Sequence, residues 1–424
     1  MTPKKTIADQ AKSAGCTSLG NKAKSIHSKR PKAKAYGLDE FTKSKASRLG
    51  MQRTAADLLF EPNSGKKQKF RVCHCGRSMH GDIVVVFRAT DGSRARFGGL
   101  ITCGSGWICP LCAARIAEVR RDELSSAMVR HVDAGRRVNL LTLTFPHESD
   151  HPLAELMDKF DTARQKFKNS RAYRAVLNKK EGAAGCLGCV SSLEITHGKH
   201  GWHPHLHMLS FSRRSITDDE IERLKKAWVN CLIKCGLGDN TKLNEMMEHA
   251  LDVRGGEDAA SYIAKYGREE PWGITSELTR PHSKVGLSDE SMTPFGLLIA
   301  YQEHGEAWAG EKFKEFANVF LGRRLITWSE GLRKHFAIDK TDDQQAADTS
   351  DIPDERYVGM LTPEQWKLVL SRNARVELLH YAAECCHNPA TAQDDLNDFV
   401  ENLKHLPQRT RGWFYDQLGF RPPQ

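Results

Sequence analysis

Val190-Ser191-Ser192-Leu193-Glu194-Ile195-Thr196-His197-Gly198-Lys199-His200-Gly201-Trp202-His203-Pro204-His205-Leu206-His207-Met208-Leu209 is the stretch that decides the fold. Leu193 and Ile195 alternate with Ser192, Glu194 and Thr196, the period of a half-buried strand. Gly198 and Gly201 flank Lys199-His200, a composition suited to a turn. On a second strand, residues two apart share a face, roughly 6.6–7 Å apart at Cα. His203, His205, His207 and Leu209 therefore share one face, and Pro204, Leu206 and Met208 the other. A turn at Lys199-His200 sets Glu194 opposite His205 and diagonal to His207, within cross-strand reach. Two imidazoles and a carboxylate so placed can converge on one divalent cation, with N–metal bonds of about 2.1 Å. Leu206 and Met208 then point into a core, which sets the register. Glu194, His205 and His207 are thus the expected ligands of Mg²⁺ or Mn²⁺, imidazole favouring manganese by affinity and availability favouring magnesium. The bland alternative is a His-rich surface hairpin in a chain with 18 histidines. A cupin-type site would have a Glu a few residues on, and Met208-Leu209-Ser210-Phe211-Ser212 offers none.

Farther along, Glu257-Asp258-Ala259-Ala260-Ser261-Tyr262-Ile263-Ala264-Lys265-Tyr266 reads as a helix, acidic at its start and basic near its end. Tyr262 and Tyr266 are four apart and lie on one face. A phenol with a free pKa of about 10 is a poor nucleophile. It becomes competent toward phosphorus when a metal neutralises the developing charge. Lys265 could assist the phosphate electrostatically. By itself the pair reads better as ordinary aromatics packing a helix on the sheet, and the histidine motif tips it toward chemistry.

Of the twelve cysteines, Cys73, Cys75, Cys103, Cys109 and Cys112 crowd into one stretch. With no secretory signal a disulfide framework is not expected. Cys109-Pro110-Leu111-Cys112 is a C-x-x-C knuckle that, with Cys103 and one upstream ligand, predicts a structural Zn²⁺ site. Cys73, Cys75, His74 and His80 compete for that upstream position. Cys186, Cys189, Cys231 and Cys235 allow a second zinc. The last two, however, lie on the apolar stripe of a helix opened by the capping box Thr217–Glu220, so a plain core face is expected.

The net charge is +10, and the first fifty residues hold 12 Lys+Arg against 3 Asp+Glu. They read as a basic, disordered arm with salt-sensitive affinity for phosphate backbone. Leu153, Leu156, Phe160, Ala163 and Phe167 make an amphipathic helix ahead of the hairpin. Asp339 to Asp351 is polar and acidic and reads as a linker. Thr362-Pro363-Glu364-Gln365 beyond it starts a helix. No run is long and apolar enough to span a bilayer, so a soluble chain is expected. Strands and helices so ordered predict an α+β layer fold.

Taken in order, these pieces resemble the rolling-circle replication initiators of plasmids, within the HUH endonuclease superfamily. Leu141-Thr142-Leu143-Thr144-Phe145 is similar to the family's first motif, Gly201 to His207 to its second, and Tyr262 to Tyr266 to its third. Gly104 to Cys112 and Leu325 to Leu332 extend the likeness to roughly residues 70–335. Plasmid members often carry Glu where Tyr262 stands. The second tyrosine is similar to that of the two-tyrosine initiators of single-stranded DNA phages, which leaves open whether water or Tyr262 ends the reaction. The resemblance implies a central antiparallel sheet with flanking helices, Tyr266 as nucleophile, a 5′-phosphotyrosine intermediate at a nicked double-strand origin, and a freed 3′-OH primer. It selects Cys75, the cysteine followed by glycine, as the fourth zinc ligand beside Cys103, Cys109 and Cys112. Expected partners are plasmid origin DNA, single-stranded or as a hairpin, with host helicase and DNA polymerase, in the bacterial cytoplasm. The expected organisation is a disordered arm (1–65), a zinc module (66–132), an HUH/RRM-like endonuclease domain (133–337), an acidic linker (338–353) and a helical region (354–424). An HUH transposase or relaxase is the nearest alternative, although relaxases usually place the tyrosine before the histidines. A non-catalytic, zinc-stabilised DNA-binding regulator is the alternative from another class.

Overall fold

The structure, a computed structural model, describes residues 40–64, 67–147, 151–255, 291–349 and 354–405. The elements run α1 (Glu40–Leu59), β1 (Val84–Ala89), β2 (Ala95–Gly98), α2 (Pro110–Asp133), β3 (Arg137–Leu143), α3 (Leu153–Asn169), α4 (Arg171–Leu177), β4 (Gly188–Gly198) and β5 (Gly201–Ser212). They continue with α5 (Asp218–Lys234), α6 (Leu243–His249), β6 (Leu251–Gly255), β7 (Ser291–Met292), α7 (Pro294–His304), α8 (Ala307–Phe320), β8 (Ile326–Trp328) and α9 (Leu332–His335). After these come α10 (Asp343–Asp348), β9 (Glu355–Leu361), α11 (Pro363–Ser371), α12 (Arg375–Glu384) and α13 (Ala392–Asn402). No helix among the described residues is long and apolar enough to cross a membrane.

The architecture is the expected α+β arrangement of antiparallel sheet and flanking helices. The large sheet has the order β6-β3-β5-β4-β7, with β8 also on β4, and its pairings are antiparallel. β4 and β5 form the expected hairpin. Gly198 pairs with Gly201, whose φ of +79° is strained for a residue with a side chain, and Glu194 pairs with His205. One sheet face carries Leu141, Leu143, Ile195, Leu206 and Met208, all buried under α3, α4, α5 and α8. Phe160 of α3 meets Trp228 of α5 edge-on, and Trp202 stacks near Phe316 of α8. The capping box at Thr217 forms and starts α5 as read from sequence. The opposite face is split. Leu140, Leu209 and Phe211 are buried there, with His131 of α2 and Phe336 packed on the Phe211 ring. The histidine end of that face carries Glu194 and His205, which are only half-buried.

A smaller three-stranded sheet, β2-β1-β9, joins chain segments that the sequence reading kept apart. β9 pairs antiparallel with β1 from Val84↔Leu361 to Ala89↔Glu355, with a register shift between Val86 and Phe87. Val84, Val86, Val358 and Leu361 then share a core with Trp366, Leu378, Leu379 and Leu396 from the C-terminal helices. The region expected to be helical therefore begins with a strand, which β1 needs as its second neighbour.

Two further expectations are corrected. The acidic stretch is not a bare linker: Asp342 caps α10, and Ala346 and Ala347 are buried. Arg120 of α2 ties it down, its guanidinium donating to Asp343 at 2.7 Å and to the Thr341 carbonyl at 2.8 Å. The short apolar pair Ala346-Ala347 is too slight a signal to stand out of a polar run. The arm expected to be disordered over 1–65 has an ordered end. In α1, Ala55 and Leu59 enter the main core, Gln52 donates to the Val72 carbonyl at 3.0 Å, and Thr54 donates to Gln302 at 2.9 Å. Residues 1–39 lie outside the described residues.

Candidate metal centres at the hairpin and the cysteine knuckle

Alternation along β5 brings His203, His205 and His207 onto the open end of the sheet, and the hairpin register delivers Glu194 to the same face. His207 Nε2 lies 2.9 Å from Glu194 Oε2. One ligand atom from each of Glu194, His205 and His207 lies within 4.8 Å of the others. Ligands about 2.1 Å from a shared ion and at right angles would stand about 3 Å apart, so the Glu194–His207 separation suits a divalent cation. Thr142 on β3 pairs with His207, and its Oγ1 is 3.2 Å from Nδ1, which leaves Nε2 turned toward Glu194.

His203 extends this cluster. One of its nitrogens lies 2.9 Å from His205 Nε2, and Nε2 also contacts Thr144 Oγ1 at 2.9 Å. Its ring stacks on His147, with centroids 4.0 Å apart. Burial, with the neighbouring imidazoles of His205 and His147 adding to it, pushes the His203 pKa down to about 2. Burial likewise lowers His147. Thr142 and Thr144 were visible in sequence only as a motif on an alternating strand. His147 gave no signal, because its loop meets β5 only in three dimensions.

The second cluster is made by Cys75, Cys103, Cys109 and Cys112, all buried. Sγ separations are 3.5 Å for Cys75–Cys112, 3.6 Å for Cys103–Cys112 and 3.5 Å for Cys75–Cys109. A tetrahedral thiolate site with Zn–S of about 2.3 Å has edges near 3.75 Å, whereas a disulfide needs about 2.05 Å. The donor set thus fits a metal and not a cystine. Gly76 has a φ of +64°, and a Cβ there would sit 3.2 Å from Leu111 Cδ1, which explains the glycine after Cys75. The electrostatics agree. Burial, followed by the adjacent thiols, pushes Cys109 well up, while hydrogen bonds from the other three hold Cys112 well down. Buried Arg375 from α12 donates to the Gly76 carbonyl at 3.0 Å, a contact sequence reasoning missed.

Cys73 stands apart, its thiol 3.6 Å from the Ala56 carbonyl. Cys186 and Cys189 lie 3.8 Å apart, but among the described residues Cys231 and Cys235 do not join them, in keeping with the core-face reading. Tyr262, Lys265 and Tyr266, expected beside the histidines, lie outside the described residues.

Over 320 aligned residues the chain is 26% identical to Protein rep of Streptomyces lividans, spanning 61% of this chain and 68% of that protein. The chain is a relative of Rep proteins. This agrees with the resemblance read from the motifs, at the level of that name. The Rep-like chain is also 28% identical over 152 residues to Neomycin resistance protein of Streptomyces cyanogenus, covering 31% of this chain and 35% of that relative. No family model and no solved structure matches.

Proposed function

We propose that this chain initiates rolling-circle replication by binding a plasmid origin and nicking one strand through Tyr266. The observation that supports it is the convergence of Glu194, His205 and His207 on the open end of the sheet in a relative of a Rep protein. These three residues would hold Mg²⁺ or Mn²⁺. A cation bound there would polarise a non-bridging phosphate oxygen and offset charge developing at phosphorus. Thr142 would accept from His207 Nδ1–H and so keep Nε2 directed at the site. The Tyr266 phenolic oxygen, losing its proton, would attack the scissile phosphorus, and the 3′-oxygen would leave as the 3′-OH primer. The 5′ end would stay bonded to Tyr266, with Lys265 beside the phosphate. Tyr262 would be the second nucleophile. Zn²⁺ at Cys75, Cys103, Cys109 and Cys112 would be structural. Host helicase and polymerase would take over the primer in the bacterial cytoplasm.

The test is incubation with a single-stranded origin oligonucleotide and Mn²⁺, read on a denaturing gel. A protein–DNA adduct that Tyr266→Phe abolishes is the expected result, and Tyr262→Phe then reports on multiple turnover. No adduct with any divalent metal would refute nicking and leave a zinc-stabilised DNA-binding regulator.

A further inference from the structure

Next to the metal-ligand cluster the sheet end opens into a cleft of about 340 Å³. Phe145 and His147 follow β3 into it, His203 enters from β5, and Lys242, Glu245 and His249 close it from α6 and the turn before it. The stacked His147–His203 pair forms one wall, and His203 touches His205, so the cleft adjoins the cation ligands directly. We propose that this cleft is a nucleobase pocket that takes one unpaired base of the strand whose phosphate lies at Glu194, His205 and His207.

The inference rests on the nicking reading and adds what that reading does not assign. Its volume lies at the small end of the range for small-molecule clefts, about 300–1,000 Å³, which suits one base and no duplex. The wall offers aromatic ring surface, against which any base can stack. The rim offers a cation and a carboxylate together, Lys242 and Glu245. A phosphate subsite would gather donors alone, because a carboxylate repels it. A base edge presents acceptors and N–H donors side by side, which a lysine and a glutamate can meet as a pair. Reaching such a pocket requires the base to leave any duplex stack, which fits a single strand or hairpin loop.

The full-length chain carrying Tyr266→Phe, which binds without cleaving, is mixed with Mn²⁺ and a labelled single strand selected from a randomised pool for binding. Each nucleotide is replaced in turn by an abasic one, and affinity is read by fluorescence anisotropy. One position is expected to lose roughly 5- to 150-fold on base removal, the stacking contribution of one base. With His147→Ala the same replacement should cost less than about 2-fold, because the pocket is already broken, while His147→Phe should retain the loss. Lys242→Ala should change which base is preferred at that position and no other. Equal abasic profiles in all these chains, or no strand bound at all, would overturn the pocket. Nicking by the chain with Tyr266 is scored separately. Nicking without base coupling sinks the pocket alone, and base coupling without nicking upholds the pocket and sinks the tyrosine mechanism.

Discussion

Leu206 and His207 are adjacent in sequence but lie on opposite faces of the sheet, so truncating each should produce opposite signatures. Leu206 is 2% exposed beneath the helical layer. Leu206→Ala removes buried methyl groups and leaves a cavity, a loss of about 2–5 kcal/mol and near 3 for a site this closely packed. His207 is buried at 6% exposure on the other face, at the mouth of the cation cluster, with one contact to Glu194 at 2.9 Å and one to Thr142 at 3.2 Å. His207→Ala forfeits two hydrogen bonds of about 1 kcal/mol each and relieves a buried imidazole, so the net loss is about 1–2 kcal/mol. Free Mn²⁺ at about 100 times its dissociation constant stabilises a binding-competent chain by about 2.7 kcal/mol. Urea denaturation followed by tryptophan fluorescence, with and without Mn²⁺ and with the cysteine site kept in zinc, reads both quantities. Leu206→Ala should lose stability yet keep the full manganese increment. His207→Ala should lose less stability and the whole increment. Equal manganese increments in wild type and His207→Ala would refute the triad, and loss of the increment in Leu206→Ala without destabilisation would refute the register.

Purified chain should carry one zinc per molecule by elemental analysis. Cys109→Ser or Cys112→Ser should abolish that zinc and cooperative unfolding, while Cys73→Ser should retain both, since its thiol lies outside the cluster. Arg120→Ala removes the guanidinium that Asp343 and Glu123 share, while Glu123 keeps Arg333 at 2.8 Å, so stability should fall by about 1–3 kcal/mol, with faster proteolysis around Asp342. Glu220 receives hydrogen bonds from Arg214 at 2.7 and 2.8 Å, and chiefly for that reason its pKa is lowered to about 2 from 4.5. A depressed carboxylate contributes stability above its unfolded pKa and loses it as pH falls from about 4.5 toward 2. Screening of the more exposed Arg214 reduces that contribution to about 1–2 kcal/mol, and Glu220→Gln should remove this part of the acid dependence in melts between those pH values.

The centre of the site was legible because its determinants are local. Period-two alternation, two glycines around a two-residue turn and the resulting register were enough to place Glu194 opposite His205. The knuckle Cys109–Cys112 is similarly local, although choosing Cys75 over Cys73 leaned on resemblance and on a glycine whose positive φ appears only in the fold. Capping boxes at Thr217 and Thr362 formed as read, because the side chains that close them lie three residues apart.

What tertiary structure alone decided is long-range pairing. β1 finds β9 across more than two hundred and fifty residues, and no periodicity within either strand names its partner edge. α10 opens on a local capping box, Asp342 with Gln345, but its place on α2 comes from the burial of two alanines and the Arg120 contacts, which its polar sequence does not advertise. His147, Lys242 and Glu245 reach the edge of the Glu194–His205–His207 cluster only because separate segments fold over one end of the sheet. Local chemistry wrote the strands, turns and ligand spacing into the sequence. The burial that chooses among distant surfaces exists only once the whole chain has packed.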